Sequence, residues 1–198
     1  MCNRYFHNHT EEEVLNIFRK ILVQLKRMHE WNQTNPNFLI GLDSQISNWA
    51  IGTKKELVYL DISTPLYRKD HKEALKAEMF LRSTPFFLRV LIKKLFLQEV
   101  LDRYYDFREI LLDAIANLYK EKLENQISLL LEYTNHFLKE ECKEYPIKGI
   151  NIQEIQKYYK RDAFIWKLYL SSRKLDRWIT TKIFKNRYEF LLPEKIER

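Results

Sequence analysis

The sequence predicts a mainly α fold with one small β-hairpin, an α+β chain in which helices do most of the packing. Three observations carry this. Only 3 glycines and 5 prolines punctuate 198 residues, so long helices meet few breaks. Thr10 and Glu13 make the T-x-x-E pattern of a capping box, and apolar residues recur at three and four behind it. One stretch departs from that period: in "NWAIGTKKELVYLDI" two short β-branched and aromatic runs flank a turn.

The elements follow in order. The N-terminus "MCNRYFHNH" reads as frayed. A helix runs from Glu11 to Trp31, with Val14, Ile17, Phe18, Ile21, Leu25 and Met28 as one apolar stripe. "NQTNPN" ends it as a turn, and "NFLIG" is a short extended segment. "NWAI" and "LVYLDI" are two strands, with Asn48 starting the first, Asp61 ending the second and "GTKKE" connecting them. "STPLYRKD" reads as a loop, because Pro65 disfavours helix at Thr64.

Helices then dominate residues 71–198. One covers His71 to Arg82. A second opens at Pro85 with Thr84 as its cap. Asp106 and Glu109 restart the chain after a break near Tyr105, and that helix runs to about Lys122. "NQISLLLEYTNHFLKEE" forms another, stopped by Pro146 and Gly149. Asn151 and Glu154 cap the start of the last helices, which run to about Phe184, and "YEFLLPEKIER" closes irregularly.

Composition bounds the function. At 45% hydrophobic and 14% aromatic the chain can fill a core, so residues 1–198 read as a single domain. Cys2 and Cys142 form no pattern, which fits a reducing, cytoplasmic setting and neither a disulfide framework nor a zinc site. No apolar leader opens the sequence. The most apolar window, "PFFLRVLIKKLFL", is cut by Arg89, Lys93 and Lys94 and is too short to cross a bilayer. It reads as a buried helix rather than a basic amphipathic one lying on a membrane. The five histidines do not cluster with acids or cysteines, and no nucleophile elbow, Walker loop or HExxH occurs.

The formal charge is +7, and residues 151–198 carry 12 Lys/Arg against 6 Asp/Glu. This basic tail reads first as a solvated helix face, and it also fits phosphate, nucleic acid or an acidic partner. Ile155, Tyr159, Asp162, Trp166 and Tyr169 fall at helical spacing, which favours a core-facing stripe, with Arg161–Asp162 and Asp176–Arg177 as internal ion pairs. Glu109, Asp113, Asn117 and Glu121 recur at four and read as a solvated helix face.

The strongest chemical signal lies at the polar ends of the hairpin. Antiparallel strands bring Asn48 and Asp61 together, and the segment from Asp43 can fold over them. A carboxylate and an amide oxygen suit a hard cation such as Mg2+, and a second carboxylate can take a proton from a hydroxyl. Asp43 stands five positions before Asn48, and Asn48 thirteen before Asp61.

With the preceding helix "LKRMHEW", this helix–loop–hairpin segment, residues 10–64, resembles the catalytic segment of the protein-kinase-like fold. In particular it resembles the aminoglycoside and choline phosphotransferase branch. The resemblance implies a C-lobe-type helical domain in which Asp43 is the catalytic base and Asn48 and Asp61 hold magnesium. It implies ATP as phosphate donor and a small-molecule hydroxyl as acceptor. Gly41 and Leu42 stand where the family usually has His and then Arg or Gly, and "IST" follows Asp61 in place of an aromatic residue and Gly or Glu. Only 42 residues precede Asp43, with no glycine before Gly41, so the nucleotide-gripping N-lobe is expected either from a separate polypeptide or to be lost, as in a split, truncated or degenerate enzyme or a C-lobe kept for binding. The reading from a different class is a non-catalytic helical binding module that engages its partner through the basic tail.

Overall fold

The computed structural model describes residues 1–62, 64, 66–76, 81, 85, 89 and 98–190. Eleven helices and strands follow one another among them. They are α1 (Cys2–Asn8), α2 (Glu11–Thr34), β1 (Phe38–Ile40), β2 (Trp49–Ile51), β3 (Leu57–Tyr59), β4 (Tyr67–Lys69), β5 (Lys72–Glu73), α3 (Gln98–Arg103), α4 (Phe107–Ala116), α5 (Ile127–Glu141) and α6 (Ile152–Trp178). The chain divides into two compact units. Residues 1–75 and 103–159 form the first; residues 76–102 and 160–198 form the second. The mainly α character with a small amount of antiparallel β is as expected.

The first unit is built on α2. The Thr10 hydroxyl accepts from the Glu13 amide at 3.4 Å while the Glu13 carboxylate accepts from the Thr10 amide at 3.0 Å, closing the capping box. Val14, Phe18, Ile21, Leu22 and Leu25 are buried along one face, against α4 and α5. Ile110, Leu111, Ile115, Leu130 and Phe137 complete that core. Each such side chain contributes about 1.5–3 kcal/mol relative to exposure.

Asn32 continues the α2 stripe one turn beyond Met28 and is also buried. Its Nδ2 donates to the Ile40 carbonyl and its Oδ1 accepts from the Ile40 amide, both at 2.8 Å. The amide thus pairs with the end of β1 as a neighbouring strand would, and ties the helix to the strand. Asn135 of α5 does the same for Ile150, ahead of α6.

β2 and β3 form the expected hairpin, with Trp49 opposite Tyr59 and Ile51 opposite Leu57. Lys55 turns the connection at φ 61°. A second sheet, in the order β1-β4-β5, corrects the loop reading of "STPLYRKD". β4 pairs with β1, Ile40 opposite Tyr67, and turns into β5 through Asp70 and His71, both at positive φ. The stretch is charged and its turn lacks glycine, so neither the alternation nor the turn signalled a strand. The helix expected from His71 therefore does not begin there; its continuation from 77 on, and the Thr84-capped helix at Pro85, fall outside the described residues apart from Leu81, Pro85 and Arg89.

Three further corrections concern ends. Residues 2–8 form α1, with Cys2 and Phe6 buried. The Gln126 side chain donates to the Phe6 carbonyl at 2.7 Å and Asn3 donates to Glu121 at 2.8 Å, so this terminus is anchored to distant residues. The Asp106-capped helix stops at Ala116 and passes into a single 3-10 turn, Asn117–Tyr119. α6 is one helix of 27 residues, opened by the reciprocal Asn151–Glu154 cap at 3.0 Å each way.

The second unit, as described, holds α3, the rest of α6 and a π-helical turn, Ile179–Ile183. Trp166 is 39% exposed, so the residues read as a core-facing stripe are not all covered. Arg161 pairs with Glu99. Burial raises the Asp176 carboxyl, and the Arg89 charge acts on it to lower it. Among the described residues no helix is long and apolar enough to cross a membrane.

Candidate functional site

The segment from Gly41 to Asn48 is held on both sides. The Gly41 amide donates to the Leu66 carbonyl at 2.8 Å, and the Leu42 amide to the Tyr104 carbonyl at 3.1 Å. A Cβ on Gly41 would stand 3.1 Å from the Tyr104 oxygen and 3.1 Å from the Tyr105 ring, tighter than ordinary contact. Tyr105 is itself fixed, by a bond from its hydroxyl to Glu73 and by the Arg68 guanidinium 4.1 Å from its ring centre. The close approach of this aromatic gives Gly41 a structural reason of its own.

Downstream, Ser44 and Ile46 point inward and are buried. The Ser44 hydroxyl donates to the Ile110 carbonyl at 2.7 Å, with Asp113 Oδ2 at 3.4 Å. Asp113 also accepts from the Tyr158 hydroxyl at 2.9 Å. α1 packs on the Ile46–Asn48 turn and on β2, closing the other side. With its inward residues pinned, the segment leaves Asp43, Gln45 and Asn48 half-buried.

Asp43, Asn48 and Asp61 are drawn to one end of the hairpin. Asn48 completes a 3-10 turn just before β2 rather than starting the strand, and β3 ends at Tyr59, two residues short of Asp61. The pairing still extends one step, since the Leu60 amide donates to the Asn48 carbonyl at 2.8 Å. Asn48 Nδ2 donates to the Asp43 backbone carbonyl at 3.2 Å, and the Tyr59 hydroxyl donates to the same oxygen at 3.3 Å. A carbonyl only accepts, so the amide nitrogen of Asn48, not its oxygen, is spent there.

The electrostatics agree with this grouping. Burial pushes the Asp43 carboxyl above its ordinary value. Bonds from the Gln45 amide at 3.2 Å and its side chain at 3.0 Å, and the Lys120 charge, pull the other way; the Asp61 charge pushes up again. The Tyr59 phenol is raised by burial and then by both Asp43 and Asp61, so it stays a donor. The Tyr59 phenol feels both carboxylates, Asp43 more than Asp61.

Among the described residues no three His, Cys, Asp or Glu side chains gather as a metal-binding group. The hairpin end offers a different set, two carboxylates and an amide. Of the residues read as a solvated face, Asp113 and Asn117 prove to be supports. Asp113 braces Ser44 and Tyr158, Asn117 is buried and donates to the Asp113 carbonyl at 2.9 Å, and burial raises Glu109. Tyr59, Gln45, Ser44 and Lys120 were not singled out from sequence. Only Tyr59 had a visible signal, two residues before Asp61 on the same strand face. Cys2 and Cys142 are buried thiols raised to about 11 and held protonated.

The model of a family of unknown function, DUF6206, matches residues 1–177. No curated protein and no solved structure matches the chain.

Proposed function

We propose that this chain, which belongs to the DUF6206 family, carries a phosphotransferase site of the kinase-like type at the end of the β2–β3 hairpin. The carrying observation is the bond from Asn48 Nδ2 to the Asp43 carbonyl. It fixes the metal-binding candidate to the candidate base across five residues. It also commits the nitrogen of the amide, leaving the oxygen as the atom suited to a hard cation.

In this reading Asn48 and Asp61 hold magnesium, whose role is to offset charge on the phosphate oxygens of ATP. The donor set fits that ion, because both groups offer hard oxygen and neither offers sulfur or imidazole. Asp43 accepts the proton of a small-molecule hydroxyl as its oxygen bonds to the terminal phosphorus and the bond to ADP breaks. A raised carboxyl is a stronger base than an ordinary one and serves that task. Tyr59 and Gln45 are positioning residues: the first holds the Asp43 backbone, the second its carboxylate.

The residues before Asp43 form two helices and a strand, so the reading includes an N-lobe for the nucleotide supplied from outside these residues. Metal binding tests the site without that partner. Mn2+ titrated into the chain and followed by its paramagnetic resonance is expected to bind. Asp61→Asn and Asn48→Ala each weaken it by about tenfold or more, while Asp43→Asn changes it little. Equal Mn2+ binding by all four proteins contradicts the assignment.

A further inference from the structure

The second unit presents a surface that the hairpin site does not use. On α6, Lys160, Phe164, Lys167, Ser171, Lys174, Leu175 and Trp178 recur at three and four and lie on one side of the helix. All seven are exposed. Phe164 is 59% exposed, Leu175 40% and Trp178 54%. Past the helix, Ile183 at 56% and Phe184 at 65% continue the apolar group, with Lys182, Lys185 and Arg187 exposed beside them. The acids of this part of α6, Asp162 and Asp176, fall off the stripe and are half-buried.

We infer that this stripe is a docking surface for an anionic lipid bilayer, bound at the headgroup level. Its charge is complementary: the stripe carries lysines and no acid. Its apolar side chains are of the kind that enter an interface. Trp sits at the boundary between hydrocarbon and water, and large aliphatic and aromatic groups reach below it. Lysines ringed around them face the headgroups, each worth about 1 kcal/mol near an anionic surface. No described helix can cross the membrane, so the mode is lying on, not spanning.

Single-stranded nucleic acid would use the same lysines, but it binds through stacked π faces. Leu175 and Ile183 have none. They gather with Trp178 and Phe184 at one end of the stripe, where a bilayer gains from every apolar group and a base stack does not. This inference stands apart from the phosphotransferase reading and shares no residue with it.

The test uses the full chain with vesicles of phosphatidylcholine alone, and of phosphatidylcholine with phosphatidylserine, read by co-sedimentation. Binding is expected to the second and not to the first. Lys160→Gln, Lys167→Gln and Lys174→Gln together weaken it on the order of a hundredfold. Trp178→Ala with Phe184→Ala also abolishes most of it, although that variant keeps its charge. A blue shift of tryptophan fluorescence on binding disappears with Trp178. The substituted groups are exposed, so circular dichroism is expected to be unchanged in both variants. Failure to bind the anionic vesicles overturns the proposal. So does binding that the aromatic pair leaves intact, or a single-stranded oligonucleotide that binds while the vesicles do not.

Discussion

In residues 1–75 and 103–159, Phe6, Phe18, Phe107 and Phe137 are all enclosed, and the helices that carry them pack on one another. In residues 160–190, Phe164, Trp178 and Phe184 stand in solvent beside lysines. The aromatic fraction of the chain is thus spent in two ways. In the first unit these four phenylalanines close a core, although Trp31, Phe38 and Tyr67 there remain exposed. In the described part of the second, aromatics make a surface. Aromatic content alone forecasts burial; the difference lies in what occupies the helix positions between the aromatics. In α2 those on the same stripe are mostly Val, Ile and Leu, and in α6 they are mostly Lys and Ser, with Leu175.

The largest expected effect breaks the contrast most simply. Phe18→Ala, in the first unit, costs about 3–5 kcal/mol through lost contacts and a cavity. Trp178→Ala, in the second, costs within about 0.5 kcal/mol, as an exposed site should. Urea unfolding of the two variants measures both; similar losses would mean the second aromatic is structural after all.

Asn32→Ala comes next. It leaves the Ile40 amide and carbonyl without their partner in a half-buried place, at a cost of about 1–3 kcal/mol. Hydrogen exchange at Ile40 should speed up while α6 amides beyond residue 160 do not change. Gly41→Ala is expected to cost about 1–2 kcal/mol, because Tyr104 and Tyr105 must give way. Its effect on Mn2+ binding should exceed its effect on helicity.

Asp43→Asn is the smallest and has the opposite sign. Burial lifts the Asp43 carboxyl, so the folded chain holds that proton more tightly than the unfolded one. The associated stability is full below the unfolded pKa and is lost as pH rises through the folded value. At neutral pH the variant is therefore expected to be the more stable, by about 0.5–2 kcal/mol, in the range of substitutions that relieve a functional site. The advantage should vanish in acid. Melting curves at pH 7 and below pH 4 read this directly, and a variant less stable than the parent at pH 7 would remove Asp43 from the strained groups.

Local signals were legible and distant pairings were not. The caps at Thr10, Asp106 and Asn151 each reach a partner three residues on, so their patterns stand in the sequence. The α2 stripe and the β2–β3 hairpin are likewise short-range. β4 and β5 depend on β1, 27 or more residues away, and on an Asp70–His71 turn without glycine. The roles of Asp113 and Asn117 depend on Ser44 and Tyr158, 69 and 45 residues from Asp113, so their spacing on α4 suggested solvent where the fold supplies partners. At the site itself, the spacing from Asp43 to Asn48 and Asp61 was visible. What was not visible is that Tyr59 and Asn48 converge on one carbonyl, because that needs the hairpin register.

Crystals of the chain grown with Mn2+ and a non-hydrolysable ATP analogue, measured for the anomalous signal of manganese, test the hairpin site most directly. A manganese peak coordinated by Asn48 Oδ1 and an Asp61 carboxylate oxygen is expected, with Asp43 turned toward the terminal phosphate and not ligating the metal. Manganese bound elsewhere, with none at the hairpin end under saturating metal, would contradict it.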